Sequence, residues 1–381
     1  MKLIDYLSSE DGTERMVSEC LKFVDESDGI IAFGAGIGGE ALYHLLKDNH
    51  LDSKLLGWSD NNELKWGRSY QSQKLMVIPP NELAEKYGSD LHIIVCSSAF
   101  DKIQVELCDF GVKSENIRLF NFAFMDLKYT DKSFIYDHIA DFDRSFQSLE
   151  DEKSRRIYCC LLNYKITKDE KYLLELQNFV DDEKNQYFDN SLYEFLEKDV
   201  LLDVGAYTGD TLKSYSEHFV NCSGYYGMEA DAYIFNKLHE YVIKQNMSDK
   251  CKIFNYAAWD TRTTLYFDEN PGTSTITDVG GNAVKAITID DLLLDEDPVT
   301  IVKMDIEGAE ANALVGARKL IKEDKPILAI CVYHKRDDYY HLLDIIKDIC
   351  PNEYSFYFRQ YRYTPTETVC YAIPKNRKIK T

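Results

Sequence analysis

The chain of 381 residues lacks any apolar run that approaches the roughly 18 residues a membrane-spanning helix needs. Its first segment, MKLIDYLSSEDGTERMV, has neither a charged leader nor an apolar core, so we expect no signal peptide. CxxC spacing is also absent, because the ten cysteines stand singly or as the adjacent pair Cys159 and Cys160. These absences predict a cytoplasmic protein with reduced thiols, no membrane partner and no metal site.

Positive charge is scarce as well. Lysine and arginine number 44 against 65 aspartates and glutamates, which gives a formal net charge of −21. Such a surface repels phosphate backbones, so nucleic-acid binding would need a local basic patch. The short basic stretch PKNRKIK near the C-terminus is expected to be a solubilising tail. We therefore expect no nucleic-acid partner.

The composition, 45% hydrophobic and 13% aromatic, is typical of globular domains. Strands alternate with helices in two regions, which predicts two mainly parallel α/β sheets with right-handed crossovers. We expect a small Rossmann-like α/β domain at 1–123 and a seven-stranded Rossmann-like domain at 199–381 whose last two strands are antiparallel. Between them, residues 124–198 carry apolar residues at helical spacing, which predicts a helical connector.

The segment LLDVGAYTGDT contains the first strand of the second domain and the glycine-rich loop after it. In doubly wound sheets, ligands bind beyond the carboxyl end of this strand. Gly205 and Gly209 let the backbone approach a ligand closely. The acids Asp203 and Asp210 would repel a pyrophosphate and would suit a cationic ligand. A role for Asp203 as a capping or loop-bracing acid is the alternative.

Glu229 ends the next strand, 229 − 209 = 20 positions after the last glycine of the loop. A carboxylate at this place accepts both hydroxyls of an adenosine ribose, unless it is only a solvated strand end. S-adenosylmethionine combines a ribose for Glu229 with a positive charge for an acid of the loop. Ala257, Ala258 and Trp259, expected at the end of the third strand, offer small and flat surfaces to an adenine.

Acids and a histidine follow the fourth and fifth strands. Asp305 is expected to orient an acceptor, bind the methionine amine or accept a proton, and Glu307 either contacts the ligand or stabilises a helix start. Glu310 is expected only to stabilise that helix. His334, in VYHK, is the first candidate for a general base because histidine titrates near neutrality. The alternative is a structural histidine that bonds the loop.

From about Gln186 to Pro374 the chain resembles the FkbM family of S-adenosylmethionine-dependent methyltransferases. Its pattern has a DxGAxxGD loop, an acid that closes the second strand and a KxDIEGAE segment, which stand here as DVGAYTGD, GMEAD and KMDIEGAE. The segment NQYF resembles one that often precedes this loop. One departure is Tyr207, where many relatives carry asparagine. The resemblance implies a class I methyltransferase fold and S-adenosylmethionine as the cofactor.

The residues expected to contact the cofactor lie in the loop and at the strand ends: Asp203, Gly205, Ala206, Tyr207, Gly209, Asp210, Glu229, Ala230, Ala257, Ala258, Trp259, Asp305 and Glu307. The expected catalytic residues are His334 and Asp305. The resemblance implies O-methylation of a sugar, a polysaccharide precursor or a secondary metabolite. The connector helices, NQYF and the threonine-rich hairpin that follows Trp259 are expected to form a lid over the strand ends.

A second glycine loop lies in the N-terminal domain. Gly34, Gly36 and Gly39 satisfy GxGxxG between a strand and a helix, and Asp60 follows 60 − 39 = 21 positions later. The segment resembles small nucleotide-binding-like domains appended to polysaccharide-modifying enzymes, and a scaffold or homodimerisation module is the alternative to nucleotide binding. The rival functions are an NAD-dependent epimerase or dehydrogenase that uses this loop, and a non-catalytic nucleotide- or carbohydrate-binding module.

Overall fold

The computed structural model describes residues 2–70, 75–97, 99–120, 131–218, 224–267, 276–277, 282–362, 364 and 366–379. Two compact units make up the chain: one is Ser9–Lys132 with Ile166–Lys168, and the other is Met1–Ser8, Ser133–Lys165 and Asp169–Thr381. The predicted domain boundaries at 123/124 and 198/199 stay predictions. None of the helices in the described part of the chain combines the length and apolar character needed to cross a bilayer.

A six-stranded sheet forms the core of the first unit, in the order β3-β4-β2-β1-β5-β6. Its elements are α1 (Gly12–Asp25), β1 (Ile30–Phe33), α2 (Ile37–Asp48), β2 (Leu55–Ser59), β3 (Ser69–Tyr70), β4 (Leu75–Ile78), α3 (Leu83–Tyr87), β5 (His92–Val95), α4 (Phe100–Asp109) and β6 (Ile117–Leu119). Parallel pairing of β1 with β2 and β5 confirms the Rossmann-like prediction. The antiparallel pair of β3 and β4 is missed because β3 has two residues, too few for a periodic pattern.

Helices fill most of the predicted connector: α5 (Lys132–Asp137), α6 (Ile139–Gln147), α7 (Glu152–Thr167) and α8 (Lys171–Leu176). Its residues 124–130 lie outside the described residues. Backbone hydrogen bonds tie this region to a strand of the second unit, from Glu150 N–H to Phe356 O and from Asp181 N–H to Gln360 O. That strand is the outermost of its sheet, so the helical region covers an edge that would otherwise pair with another chain.

A seven-stranded sheet forms the core of the second unit, in the order β16-β17-β15-β14-β7-β8-β9. Its elements are β7 (Val200–Val204), α9 (Asp210–His218), β8 (Gly224–Met228), α10 (Ala232–Lys244), β9 (Cys251–Phe254), β14 (Ile301–Met304), α12 (Glu310–Gly316), α13 (Arg318–Asp324), β15 (Ile327–Cys331), α14 (Asp338–Ile349), β16 (Tyr354–Gln360) and β17 (Thr368–Pro374). Five strands are parallel, and β17 is antiparallel to both β15 and β16. The predicted seven strands with an antiparallel pair at the end are confirmed.

The central strands of this sheet are buried along their whole length. β7 reads VLLDV, β14 reads IVKM and β15 reads ILAIC, and every residue in them is buried. Such apolar runs are typical of parallel strands with helices on both faces. Because these strands share one direction, the loops that follow them converge on a single edge of the sheet.

A smaller four-stranded sheet has the order β10-β13-β11-β12. Between β9 and β14 the chain forms β10 (Ala257–Ala258), β11 (Thr263–Phe267), β12 (Ile276–Thr277), β13 (Asn282–Ile287) and α11 (Ile289–Leu292). The antiparallel pair of β11 and β13 fits the predicted hairpin, whose residues 268–275 and 278–281 lie outside the described residues. The prediction that Ala257 and Ala258 end the third strand is wrong, because they form β10 and pair with β13. Between β9 and β10, the Asn255 side chain donates to the carbonyls of Glu229 and Ala230.

Candidate active site

A cleft of about 1380 Å³ opens at the carboxyl edge of the seven-stranded sheet. Its walls are the loops after β7, β8 and β14, strand β10 and parts of β11 and β13. Ten of the residues expected to contact the cofactor line it: Gly205, Tyr207, Asp210, Glu229, Ala230, Ala257, Ala258, Trp259, Asp305 and Glu307. Four further expected site residues are not part of its lining: Asp203, Ala206, Gly209 and His334.

Asp203 is the buried partner of Lys303. Asp203 Oδ1 lies 3.0 Å from Lys303 Nζ, with the two side chains 0% and 4% exposed, and the Tyr225 hydroxyl donates to Asp203 Oδ2 at 2.7 Å. Burial disfavours the charged form of Lys303, but the carboxylates of Asp203 and Asp305 raise its pKa above the ordinary value. Asp203 therefore braces the strands, in agreement with the alternative role given above, and its contact with the cofactor stays a prediction.

Lys303 also holds the glycine loop. Its Nζ donates to the carbonyl of Gly205 at 2.6 Å, and Lys303 itself lines the cleft. Gly205 has a φ of +83°, and a Cβ there would lie 2.0 Å from the carbonyl oxygen of Asp305. Glycine is required at this point because any side chain would separate the loop from the end of β14. Lys303 has no predicted role, because a single lysine in an apolar strand carries no periodic signal.

Glu229 connects the end of β8 to the same loop. Its Oε2 accepts from the Tyr207 N–H and its Oε1 from the Asp231 N–H, both at 2.9 Å. The residue is 9% exposed, and burial raises the pKa of its carboxyl group despite these two hydrogen bonds. A carboxylate oxygen offers two lone pairs, so each oxygen keeps acceptor capacity for a ligand in the cleft.

Left-handed backbone conformations are concentrated around the cleft. Four of its lining residues have positive φ without being glycine: Tyr187 (69°), Tyr207 (46°), Glu307 (54°) and Glu367 (66°). Each such conformation costs on the order of 1–3 kcal/mol and persists only where the surroundings enforce it, typically at functional sites. At Tyr207 the hydrogen bond from its N–H to Glu229 is one such enforcing contact.

Two tyrosines orient the carboxylate of Asp305. The Tyr187 hydroxyl donates to Asp305 Oδ2 at 3.0 Å, and the Tyr333 hydroxyl lies 3.5 Å from Oδ1. Burial raises the pKa of both tyrosines, so both hydroxyls keep their protons. Tyr187 belongs to the NQYF segment, and it is the part of the predicted connector lid that lines the cleft. Neither tyrosine is among the predicted cofactor-binding or catalytic residues.

His334 lies next to Asp305, with its side chain 7% exposed. Its Nδ1 donates to Glu310 Oε1 at 2.8 Å, while its Nε2 lies 3.4 Å from Asp305 Oδ1 and 3.8 Å from Glu307 Oε2. Burial lowers its pKa, but the hydrogen bond to Glu310 and the charges of the three carboxylates raise it to about 9. A general base must be free of its proton near neutral pH, so the raised pKa disfavours His334 in that role, and its predicted part in catalysis stays a prediction.

Glu310 is more than the helix-start acid that the sequence predicts. It does begin α12, yet it is fully buried, and its Oε1 accepts from both His334 Nδ1 and the Ile306 N–H. The glutamate and the histidine are 24 positions apart in sequence, beyond the reach of any local pattern. They meet because β14 and β15 are parallel neighbours, so the order of the strands is the signal that could have found the pair.

The GxGxxG loop of the first unit is held by its own side chains. Asp60 Oδ2 accepts from the Ala35 N–H at 2.9 Å and from Lys65 Nζ at 2.7 Å, and Lys65 also donates to the Ala35 carbonyl. A Cβ on Gly39 would lie 2.3 Å from the Gly34 carbonyl oxygen, so Gly39 permits close packing of α2 on the loop. Lys65 thus already bonds Asp60 Oδ2, an oxygen that a ribose hydroxyl would need as its acceptor. This favours the scaffold interpretation, and nucleotide binding here stays a prediction.

Comparisons with known proteins agree with this fold. The family model of the methyltransferase FkbM domain matches residues 203–358. The chain is similar to the crystal structure of methyltransferase FkbM from Methylobacillus flagellatus KT, with 20% identity, a TM-score of 0.65, and coverage of 94% of this chain and 99% of that one. At this identity the likeness establishes the fold alone. No functionally curated protein matches the chain.

Two other solved structures are more distant. A putative rRNA methylase from Clostridium thermocellum has 11% identity over 55% of this chain and 94% of that one, with a TM-score of 0.32. Fibrillarin from Aeropyrum pernix, solved with natively bound S-adenosyl-L-methionine, has 13% identity over 50% of this chain and 76% of that one, with a TM-score of 0.33. Similarity this low supports no conclusion about this chain. Residues 203–358 thus match the model of the methyltransferase FkbM domain, and the architecture of the seven-stranded sheet agrees with that match.

Proposed function

We propose that the protein transfers a methyl group from S-adenosylmethionine to a hydroxyl oxygen of a small polar molecule, such as a sugar, a polysaccharide precursor or a secondary metabolite. The observation that carries this proposal is Glu229, a buried carboxylate on the wall of the cleft, held by the backbone of the glycine loop. Two neighbouring hydroxyls of a ribose can bond its two oxygens at once.

The residues around Glu229 suit the rest of an adenosyl group. Ala257 and Ala258 are buried at the cleft wall, and Trp259 packs against the same apolar cluster. Small side chains beside a flat ring leave a slot in which an adenine can pack. Of the two acids in the glycine loop, Asp210 lines the cleft and is exposed, so it is the loop acid we assign to the methionine ammonium.

Bound S-adenosylmethionine supplies an electrophilic methyl group on a positively charged sulfur. The protein's main task is to align an acceptor oxygen within roughly 3–3.5 Å of that carbon. We assign to Asp305 the removal of the hydroxyl proton, because its carboxylate lines the cleft and is oriented by Tyr187 and Tyr333. A positioned base of this kind contributes typically about 10²- to 10⁴-fold to the rate.

The acceptor end of the cleft is polar. Besides Asp305 it contains the carboxylates of Glu307 and Glu367 and the hydroxyls of Tyr187 and Tyr333. Carboxylates accept and tyrosine hydroxyls donate hydrogen bonds, the combination that a molecule with several hydroxyls needs. A sugar-like acceptor fits this lining better than an apolar one does.

Calorimetric titration of the full-length protein with S-adenosylhomocysteine, S-adenosylmethionine and NAD tests the proposal. We expect both adenosyl ligands to bind with one site per chain and NAD not to compete with them. The variant Glu229→Ala should weaken binding of both by at least tenfold, because the two ribose hydroxyls lose their acceptor. Glu240→Gln, an exposed glutamate on α10, is the matched control and should bind as the wild type does.

Two results would overturn the proposal: unchanged S-adenosylhomocysteine affinity in Glu229→Ala, or binding of NAD alone. The methyl acceptor can then be sought with a methyl-labelled cofactor and a panel of sugars and nucleotide sugars. Loss of labelled product in Asp305→Asn, with cofactor affinity retained, would support a role of Asp305 in the transfer step.

A further inference from the structure

Three carboxylates and one imidazole converge beside the cleft, from loops that follow two neighbouring strands. Asp305, Glu310 and His334 each bring a ligand atom within 4.8 Å of the other two. Glu307 Oε2 lies 3.8 Å from His334 Nε2. Acidic groups meet in many proteins without binding anything, so the cluster alone does not define a site.

The second observation is the buried imidazole itself. The side chain of His334 is 7% exposed, and its Nε2 has no hydrogen-bond partner among the described residues. The opposite nitrogen is fixed, because Nδ1 donates to Glu310 Oε1, which also accepts from the Ile306 N–H. The ring is therefore locked with Nε2 directed toward Asp305, 3.4 Å from its Oδ1. The gap between Nε2 and the carboxylates can be filled either by a proton on the nitrogen or by a cation bound to both.

The distance between His334 Nε2 and Asp305 Oδ1 matches that between two ligands of one metal ion. Bonds of about 2.0–2.2 Å place two ligands of one metal roughly 3.0–3.6 Å apart. The separation of His334 Nε2 from Asp305 Oδ1 falls in that range, and Glu307 Oε2 is slightly farther. Glu310 occupies the place of the outer carboxylate that orients a metal-binding histidine.

We propose that His334 Nε2, Asp305 and Glu307 bind one divalent cation, with Glu310 as the positioning residue. One imidazole and two carboxylates suit Mn²⁺, Fe²⁺ or Zn²⁺ better than an oxygen-only site would. Asp305 and Glu307 line the cleft, so the cation has open positions on the side where a ligand enters. It would hold an acceptor's oxygen atoms beside the donor. The binding of the ion does not depend on the proposed methyl transfer.

Metal binding is measured directly on the full chain, without a polyhistidine tag and after treatment with a chelator. The probe is Mn²⁺, followed by the electron paramagnetic resonance signal of the free ion, with Zn²⁺ as a competitor. We expect one saturable Mn²⁺ per chain, displaced by Zn²⁺. The net charge of −21 also attracts cations loosely, so only the saturable equivalent counts as the site.

Variants locate the site. His334→Gln and Asp305→Asn should each abolish the saturable equivalent, and Glu310→Gln should weaken it roughly 10- to 100-fold by releasing the imidazole. The control is His341→Gln, an exposed histidine on α14 of the same unit, which should retain wild-type binding. Circular dichroism and the melting temperature establish that each variant is folded. If His334→Gln does not fold, the Mn²⁺ binding of Asp305→Asn is the measurement that decides whether the site exists.

The proposal is overturned if the wild type binds no saturable Mn²⁺ or Zn²⁺, in which case a proton on His334 satisfies the carboxylates. It is also overturned if His334→Gln, or Asp305→Asn alone, binds Mn²⁺ as tightly as the wild type. S-adenosylhomocysteine titrations of the same variants separate this result from the proposed function. If the wild type binds S-adenosylhomocysteine but no metal, the metal site is rejected and the proposed function is not.

Discussion

Asp203 and Lys303 are directly opposed on two hydrogen-bonded strands, β7 and β14, and their charged atoms lie 3.0 Å apart inside the sheet. The lysine also donates to the carbonyl of Gly205. One buried cation thus fixes the register of the two central strands and the start of the glycine loop. The family motifs around Asp203 and Lys303 consequently have a structural role beneath any role in binding.

Replacing Lys303 by methionine should destabilise the protein by about 3–5 kcal/mol, because Asp203 would remain buried without its counter-ion. The free energy of unfolding in urea measures this loss. The double variant Asp203→Asn with Lys303→Met should recover part of it. Lys252→Met, which breaks the exposed pair with Glu296, is the control and should cost less than about 1 kcal/mol. Equal losses of stability in Lys303→Met and Lys252→Met would contradict the assigned role of the buried pair.

Gly205→Ala should destabilise the protein by roughly 2–4 kcal/mol, through a strained positive φ and a Cβ that collides with the Asp305 carbonyl. The comparison is Gly36→Ala, in the loop of the first unit, where a Cβ meets no atom within 4 Å. That variant should cost about 1 kcal/mol or less. The urea midpoints of the two variants test the contrast, and a tolerant Gly205 would show that the loop can move away from β14.

Tyr207 should matter through its backbone and not through its ring. Tyr207→Gly retains the N–H that donates to Glu229 and suits a φ of 46°, so it should bind S-adenosylhomocysteine within about threefold of the wild type. Tyr207→Pro removes the N–H and requires a negative φ, so binding should be lost. Calorimetry measures both. Strong loss in the glycine variant would instead assign the ring a contact with the ligand.

Asp151 and Arg359 should give the protein a stability contribution that disappears in acid. Burial raises the pKa of Asp151, but the Arg359 guanidinium and Ser154 lower it below its ordinary value of about 3.9. The contribution is therefore fully present above about pH 4 and is lost as the pH falls through the lower, folded-state pKa. Asp151→Asn should cost roughly 1–3 kcal/mol at pH 7 and progressively less below pH 4.

Urea unfolding at several pH values measures this difference between the wild type and Asp151→Asn. The neighbouring variant Glu152→Gln, which breaks an exposed pair with Arg156, should cost under about 1 kcal/mol at every pH. If Asp151→Asn lowers the free energy of unfolding by the same amount at pH 7 and below pH 4, the charge of the carboxylate is not what stabilises Arg359.

The parts of the site that the sequence predicts are those fixed by strand ends. Gly205, Glu229 and Asp305 follow buried strands, and parallel strands deliver their loops to one edge, so these residues line the cleft together. The seven strands and the final antiparallel pair are also predictable, because each apolar run is bounded by turn residues. The break between β9 and β10 is not predicted, because no glycine or proline marks residues 255–256.

What the sequence does not predict depends on burial and on strand order. The pKa of His334 is set by carboxylates that arrive from another loop, and no local pattern near residue 334 indicates them. The same holds for Tyr187, whose hydroxyl meets Asp305 across 118 positions of sequence. The ion pair of Asp203 and Lys303 is hidden likewise, because its two members are distant in sequence and adjacent only in the sheet.

Strand β17 lies in the interior of its sheet, hydrogen-bonded on one side to β15 and on the other to β16. During synthesis on the ribosome, the sheet cannot be completed until Thr368–Pro374 has emerged. Until then β15 and β16 each present an unpaired edge to the solvent. A stop codon or a proteolytic cut ahead of Thr368 would therefore leave a molecule that has the cleft residues up to Tyr333. It would lack the strand that pairs with both β15 and β16.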